Sequence, residues 1–383
     1  MGFKPYAADP AAIEALNKQF TTYDIWQFTA EDLSALYTLS TARDAVYFEL
    51  GIPGQHQPTP FQLYPHDLRA DDYRSLRYRN GQTVVVPSGP VTNFQGYRDG
   101  KTARRVHFTI DPAFLLASWM EEGQKRVVEP LWRIYPAAPR DLYVAYYTKD
   151  VRPIEDACGT HHLPASKLGE KYAPTPPPLK MDGACLTVDI ALASDWLMFQ
   201  EFGSAAAVES FMLGVLADVQ TNYDDEFADE LIYEVLTTFI SDCSSCDPWT
   251  SSTSAGALLD SFVAWGNSGG FGTTAYDVAS LWTDRNFAGS TIGVAYLGSV
   301  CFSLRYNVLQ NFTTNSESLR VLWSHELGHN FDATHDPSGS PTIMAPTVNT
   351  SNQWSNQSVS QINSFVGFID CLAPCAGTAP PVA

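Results

Sequence analysis

The stretch HELGHNFDATHD (325–336) holds four side chains of types that bind and use a metal ion: His325, Glu326, His329 and His335. On a helix, residues four apart differ by about 40° and stand one above the other. His325 and His329 can therefore converge on one zinc ion, about 2.0–2.1 Å from each imidazole nitrogen. Glu326 lies about 100° round from His325, close enough to touch a water on the metal without ligating it. A carboxylate there can take a proton from a water whose pKa zinc has lowered. His335, six residues after His329, would be rotated about 240° away and displaced about 9 Å if the helix ran on. The chain must leave the helix near Asp332 and turn back through a residue with φ > 0. Glycine fills such a turn most easily. Asp is among the few other residues that enter that region, at a cost on the order of 1 kcal/mol. A bare H-E-x-x-H also arises in unrelated helices, so it is His335 at the matching distance that makes this a candidate metal site.

The elements that must position these groups follow from periodicity. ESLRVLWSHELGHNF (317–331) predicts a long amphipathic helix. ACLTVDIALAS (184–194) reads as a buried strand, followed by helical periodicity over 204–227. DELIYEVLTTFIS (229–241) suits a strand and GALLDSFVAWGN (256–267) a helix, while TAYDVASLWTD (274–284) fits either. TIGVAYLGSVC (291–301) is of β type. Strands alternating with helices predict an α/β layer arrangement. Residues 1–170 differ. After a helical start, DPAAIEALNKQF (9–20), short segments such as QTVVVPSG, RRVHFTID, VVEPLWRIY and DLYVAYYT predict an antiparallel, mostly β domain, with YRDG (97–100) as a turn.

Charge marks the seam between the two parts. Residues 1–180 hold 20 Lys+Arg and 20 Asp+Glu, whereas 181–383 hold 3 and 22 and contain no Lys. The net charge of −19 therefore sits wholly in the second part, which argues against a nucleic-acid partner. At the seam, KYAPTPPPLKMDGAC (171–185) is too rich in Pro for helix or central strand and reads as an exposed linker over 171–183. No apolar run is long enough to span a membrane. The start lacks the basic and apolar regions of a signal peptide, so the chain is either cytosolic or begins after a removed signal. Seven cysteines are present; six lie after the seam and suit three disulfides in an oxidising compartment. Seven reduced, buried cysteines are the alternative.

The combined pattern resembles the adamalysin/reprolysin branch of the metzincin zinc peptidases over 184–372. The resemblance rests on SHELGHNFDATHD, on TIMAP (342–346), on YDVASLWTDRNFAGSTIGVAYLGSVC (276–301) and on QWSNQSVSQINSFVGFIDCL (353–372). Asp332 is its one departure within the zinc motif. The resemblance implies a mixed-sheet α/β catalytic domain over 184–383, hydrolysing protein or peptide substrates with zinc on His325, His329 and His335 and with Glu326 as general base. It implies that Met344 forms a hydrophobic floor beneath the metal. It also implies that Gly293, Val294, Ala295, Tyr296, Leu297 and Gly298 form the edge strand that pairs with an extended substrate, a mode that needs only backbone groups. It suggests a Cys301–Cys371 disulfide, with Cys243–Cys246 and Cys185–Cys375 as one assignment of the rest. Calcium near Asp189 and Asp277 is a further implication, against the reading of both as ordinary solvated acids.

The resemblance also gives the odd cysteine a reading. DACGTHHLPAS (156–166) looks like a cysteine switch, in which Cys158 fills the open position on zinc in a latent form. Residues 1–170 would then be an inhibitory pro-domain, with His161 and His162 as surface residues beside the switch. An activating protease would cut in the linker near Lys171 and Lys180. The expectation is a secreted zymogen. Its rivals are a metal-stabilised binding module that no longer cleaves, and a peptidase whose first domain binds partners.

Overall fold

The structure, a computed structural model, describes residues 1–42, 44–79, 82–153, 157–159, 185–228 and 230–375, without the side chains of 102–104. The linker with Lys171 and Lys180, and His161 and His162, lie outside the described residues.

Two sheets dominate the fold. The first is antiparallel, in the order Lys4–Pro5, Asp24–Gln27, Leu142–Tyr147, Gln124–Pro130, Phe114–Glu121, Lys101–Asp111, Asn93–Arg98, Thr59–Pro65 and Val46–Leu50. Its strands form because apolar residues alternate, as in Val46–Leu50, where Val46, Phe48 and Leu50 are buried and Tyr47 and Glu49 exposed. Asp99 and Gly100 both take positive φ (57° and 63°) and close a two-residue hairpin. The predicted continuous strand VVEPLWRIY is corrected. It ends at Pro130, which has no N–H for the ladder, and Leu131–Ile134 form one helical turn.

The second sheet carries the metal motif's surroundings. Leu231–Ile240, Leu186–Ser194, Val278–Thr283 and Tyr306–Gln310 run parallel, and Thr291–Ala295 lies antiparallel at one side. Alternation sets its layers. Val188, Ile190 and Leu192 join the core under helices Ala205–Phe227 and Ser316–Asn330, while Ala191 and Ala193 join the one under helix Ala255–Asn267. The first half of the chain closes this sheet at both ends. A hairpin of Arg69–Arg79 and Gln82–Val86 adds beside Leu231–Ile240, and Ala157–Cys158 adds beside Thr291–Ala295. Helix Ala205–Phe227 lies between the two sheets, touching Lys101–Asp111 and Leu231–Ile240. One continuous core thus holds Leu116, Val127 and Val144 together with Val215, Leu216 and Leu322.

That packing corrects the amphipathic reading of 317–331. All fifteen residues of helix Ser316–Asn330 are buried. Its N-terminal turn is covered by the first half: Ser316 donates its N–H to Glu129 at 3.1 Å, and Lys125 pairs with Glu317 at 2.6 Å. Among the described residues no single helix is long and apolar enough to cross a membrane.

Candidate metal centre

Helix Ser316–Asn330 starts at Asn315, whose side chain accepts the Ser318 N–H, and carries His325, Glu326 and His329 in its last turns. It stops through a Schellman turn. Asp332 N–H donates to His329 O at 2.9 Å, and Ala333 N–H donates to Gly328 O at 2.9 Å. Asp332 holds the left-handed position of that turn at φ 70°, where helices most often use glycine. The reversal brings His335 back against the helix. Its Nε2 lies 3.2 Å from Nε2 of both His325 and His329.

The donor chemistry tests whether zinc fits. His325 Nδ1 lies 2.8 Å from Ile343 O, and His329 Nδ1 lies 2.7 Å from Ala333 O. A carbonyl only accepts, so each Nδ1 carries the proton and each Nε2 presents a lone pair. Burial and the neighbouring His335 push His325 down to about 3, which keeps it neutral as a ligand must be. One proton on His335 could serve only one of the two facing lone pairs, whereas a cation at their centre satisfies both. Tetrahedral zinc with bonds of about 2.0–2.1 Å sets its nitrogens about 3.3 Å apart, so the three imidazoles fit it. Cys158 Sγ completes the group at 3.4 Å from His329 Nε2, and all four donor atoms lie within 4.8 Å of one another. Met344 is fully buried against Gly328 of helix Ser316–Asn330, where an added Cβ would meet its sulfur at 2.7 Å.

Cys158 is held there by backbone on two sides. Ala157 and Cys158 pair parallel to Thr291 and Gly293, and the Gly159 N–H donates to Gly293 O at 2.8 Å. On the other side the Cys158 N–H donates to Pro346 O at 3.1 Å, and Ala157 bridges antiparallel to Thr347. The segment therefore lies in the groove between the edge strand and the chain that follows Met344.

Comparison with known proteins then bears on this geometry. A family model described as Metallo-peptidase family M12 (Reprolysin_5) matches residues 186–364. Zinc metalloproteinase barnettlysin-1 of Bothrops barnetti is 31% identical over 147 residues, 37% of this chain and 69% of the relative. The chain belongs to the reprolysin-type M12 metallopeptidases. Snake venom metalloproteinase atroxlysin-1 of Bothrops atrox is 28% identical over 168 residues, 42% of this chain and 81% of the relative. Zinc metalloproteinase recombinant fibrinogenase II of Deinagkistrodon acutus is 34% identical over 116 residues, 28% of this chain and 50% of the relative. The protein is accordingly a zinc metalloendopeptidase of the adamalysin/reprolysin type.

In this reprolysin-type peptidase the edge strand is shorter than 293–298. It spans Thr291–Ala295, and Tyr296, Leu297 and Gly298 turn away. The turn is tied to the helix end, because Gly298 N–H donates to His329 O at 2.9 Å and Ser299 N–H to Asn330 O at 2.8 Å. Asn330, which the motif reading passed over, clamps this corner by donating its amide to Tyr296 O, Ser299 Oγ and Tyr306 O at 2.9–3.2 Å. Its only sequence signal is its position directly after His329.

Gly293, expected as an edge-strand residue, has a second role that the sequence did not show. A Cβ there would lie 2.4 Å from Glu326 Oε1 and 2.7 Å from Leu322 Cδ1, so the strand needs glycine to lie this close to the helix. Glu326 itself is fully buried. Gly293→Ala is expected to displace the Glu326 carboxylate and to destabilise the fold by about 1–3 kcal/mol through overpacking. Thermal unfolding beside zinc content checks this; an unchanged melting temperature would contradict the close contact.

The disulfides are Cys185–Cys375, Cys243–Cys246 and Cys301–Cys371. Asp189 and Asp277 come together: the Asp189 N–H donates to Asp277 Oδ2 at 2.9 Å. Burial and then Asp277 push Asp189 up to about 6. Cys301 and Cys371 near Asp277 are joined to each other and offer it no thiolate.

Proposed function

We propose that the chain is the latent form of a secreted zinc endopeptidase, in which His325, His329 and His335 would hold the metal through Nε2 and Cys158 would close its fourth position. The observation that carries this reading is the position of Cys158 Sγ among three converging imidazoles, on a segment hydrogen-bonded along the edge strand. When bound, zinc supplies a Lewis acid that brings the pKa of water to about 7.

The chain's own groups do the remaining work. Glu326, next to His325 and facing Gly293, receives the proton of the attacking water and returns it to the leaving amine. The backbone of Thr291–Ala295 aligns an extended substrate irrespective of its side chains. The carbonyls of Ile343 and Ala333 fix the tautomer and aim of His325 and His329. Ala157–Gly159 occupy that same strand edge and the Pro346 carbonyl, so substrate and switch cannot bind together. An activating protease cutting near Lys171 or Lys180 would free the segment to leave, with residues 1–170 as the inhibitory pro-domain. Three disulfides in the acidic half and the venom proteinases among its relatives favour an extracellular setting.

Metal removal tests the reading. The full chain is expected to hold one zinc, and a chelator should lower its melting temperature and expose the Cys158 thiol to a thiol reagent. Readded zinc should reverse both. A thiol equally reactive with and without zinc would overturn Cys158 as a ligand.

A further inference from the structure

Arg133 stands on the one-turn helix Leu131–Ile134 of the first half, yet its side chain is 1% exposed. Among the described residues its hydrogen-bond partners and ring neighbours belong to the catalytic half, while the buried Glu129 of the first half lies near enough to feel its charge. Nε donates to Glu201 Oε1 at 3.1 Å, Nη1 to Thr314 O at 3.1 Å and Nη2 to Asn311 Oδ1 at 2.8 Å. The guanidinium carbon Cζ lies 4.5 Å from the Phe211 ring centre and 5.4 Å from that of Phe202. Asn311 is aimed in turn, because its amide donates to Glu201 Oε2 and to Asp284 Oδ1. An acceptor on each of three nitrogens and an aromatic wall match a planar guanidinium and not a point-charge ammonium.

The catalytic half has no cation of its own for this pocket. Its three basic residues are Arg285, Arg305 and Arg320, and they bond to Thr250 O, Tyr276 O and Glu317. If the first half left, the partly exposed Glu201 carboxylate and the oriented acceptors would face aromatic rings with no cation between them. Such a site favours a guanidinium from elsewhere. Asn311 directly follows Tyr306–Gln310, whose Leu309 is paired with Gly293, so the pocket sits at the end of the sheet where the edge strand begins.

We infer that this pocket is a guanidinium-binding exosite, filled by Arg133 in the latent chain and taken in the processed peptidase by an arginine side chain of a protein substrate. The inference rests on the reading of residues 1–170 as a removable pro-domain. It predicts that arginine residues outside the cleaved bond improve substrate binding.

The test uses the full chain. Arg133→Ala leaves the covered pocket vacant, and its melting temperature is followed against methylguanidinium and methylammonium, which are small enough for the space the side chain filled. The expected result is a saturable rise of about 2–4 °C with methylguanidinium alone, abolished when Glu201→Gln is added. No saturable rise, or an equal rise with methylammonium, would overturn the site. Should Arg133→Ala not fold, Arg133→Lys decides: it keeps the charge but cannot reach all three acceptors, so it should melt below the unsubstituted chain. Equal melting would remove the selectivity for guanidinium. None of these readouts involves Cys158 or cleavage, so the pro-domain reading can fail while the pocket stands.

Discussion

Cys158→Ala in the full, uncut chain is expected to raise cleavage of an unfolded protein substrate at least about tenfold. A tenfold change corresponds to about 1.4 kcal/mol, a modest fraction of what a zinc–thiolate ligand contributes. The increase should fall short of the activity reached after proteolytic processing. The backbone N–H groups of Gly159 and Cys158 donate to Gly293 O and Pro346 O, and these bonds do not depend on the thiol, so the variant keeps them. Cys158→Ser should lie between, since a hydroxyl is a far poorer zinc ligand than a thiolate. Rates measured side by side, with and without prior linker cleavage, check this. Equal rates for Cys158→Ala and the unsubstituted chain would remove the switch and leave the first half as a domain of another role.

Glu326→Gln, made in the Cys158→Ala background, should lower kcat by about 10²–10⁴ while zinc content stays at one per chain. The amide keeps the shape that packs against Gly293, so binding and fold are retained. It cannot accept a proton, so the chemical step is lost. Stability should hold or rise slightly, because a fully buried carboxylate is replaced by a neutral group. Kinetics with metal analysis on the same sample distinguish this from metal loss. Undiminished cleavage would exclude Glu326 as the base and leave only zinc-borne catalysis to explain.

Much of the centre was legible because its geometry is local. The 325–329 spacing fixes two imidazoles on one helix face, whatever the helix packs against. Asp332 at φ 70° was readable for the same reason: only a left-handed residue lets His335 return, and the Schellman bonds involve residues within five positions. Less local features were not legible. Asn330 and Arg133 look ordinary in sequence, and Gly293 reads only as an edge-strand residue; their roles arise from contacts with Tyr296, Glu201 and Glu326 that lie tens of residues away. The helix Ser316–Asn330 reads as amphipathic in sequence for a related reason, though it is buried all round. Its outer turn is polar in Ser316, Glu317 and Arg320, but Glu129 and Lys125 of the first half bury it with matching partners.

The sequence by itself determined the donor types, their order on one helix, the turn that brings His335 back, and the α/β alternation that supplies a sheet and edge strand. These depend on helical and strand periods, which each segment carries within itself. Only the tertiary structure decided that the first half is built into the catalytic sheet at both ends, with Arg69–Arg79 beside one outer strand and Ala157–Cys158 beside the other. It also decided that Cys158, 171 residues before His329, comes within 3.4 Å of it. Strand pairing and burial of a shared core are long-range interactions whose partners no local spacing encodes, so the meeting of thiol and imidazoles is a property of the folded chain.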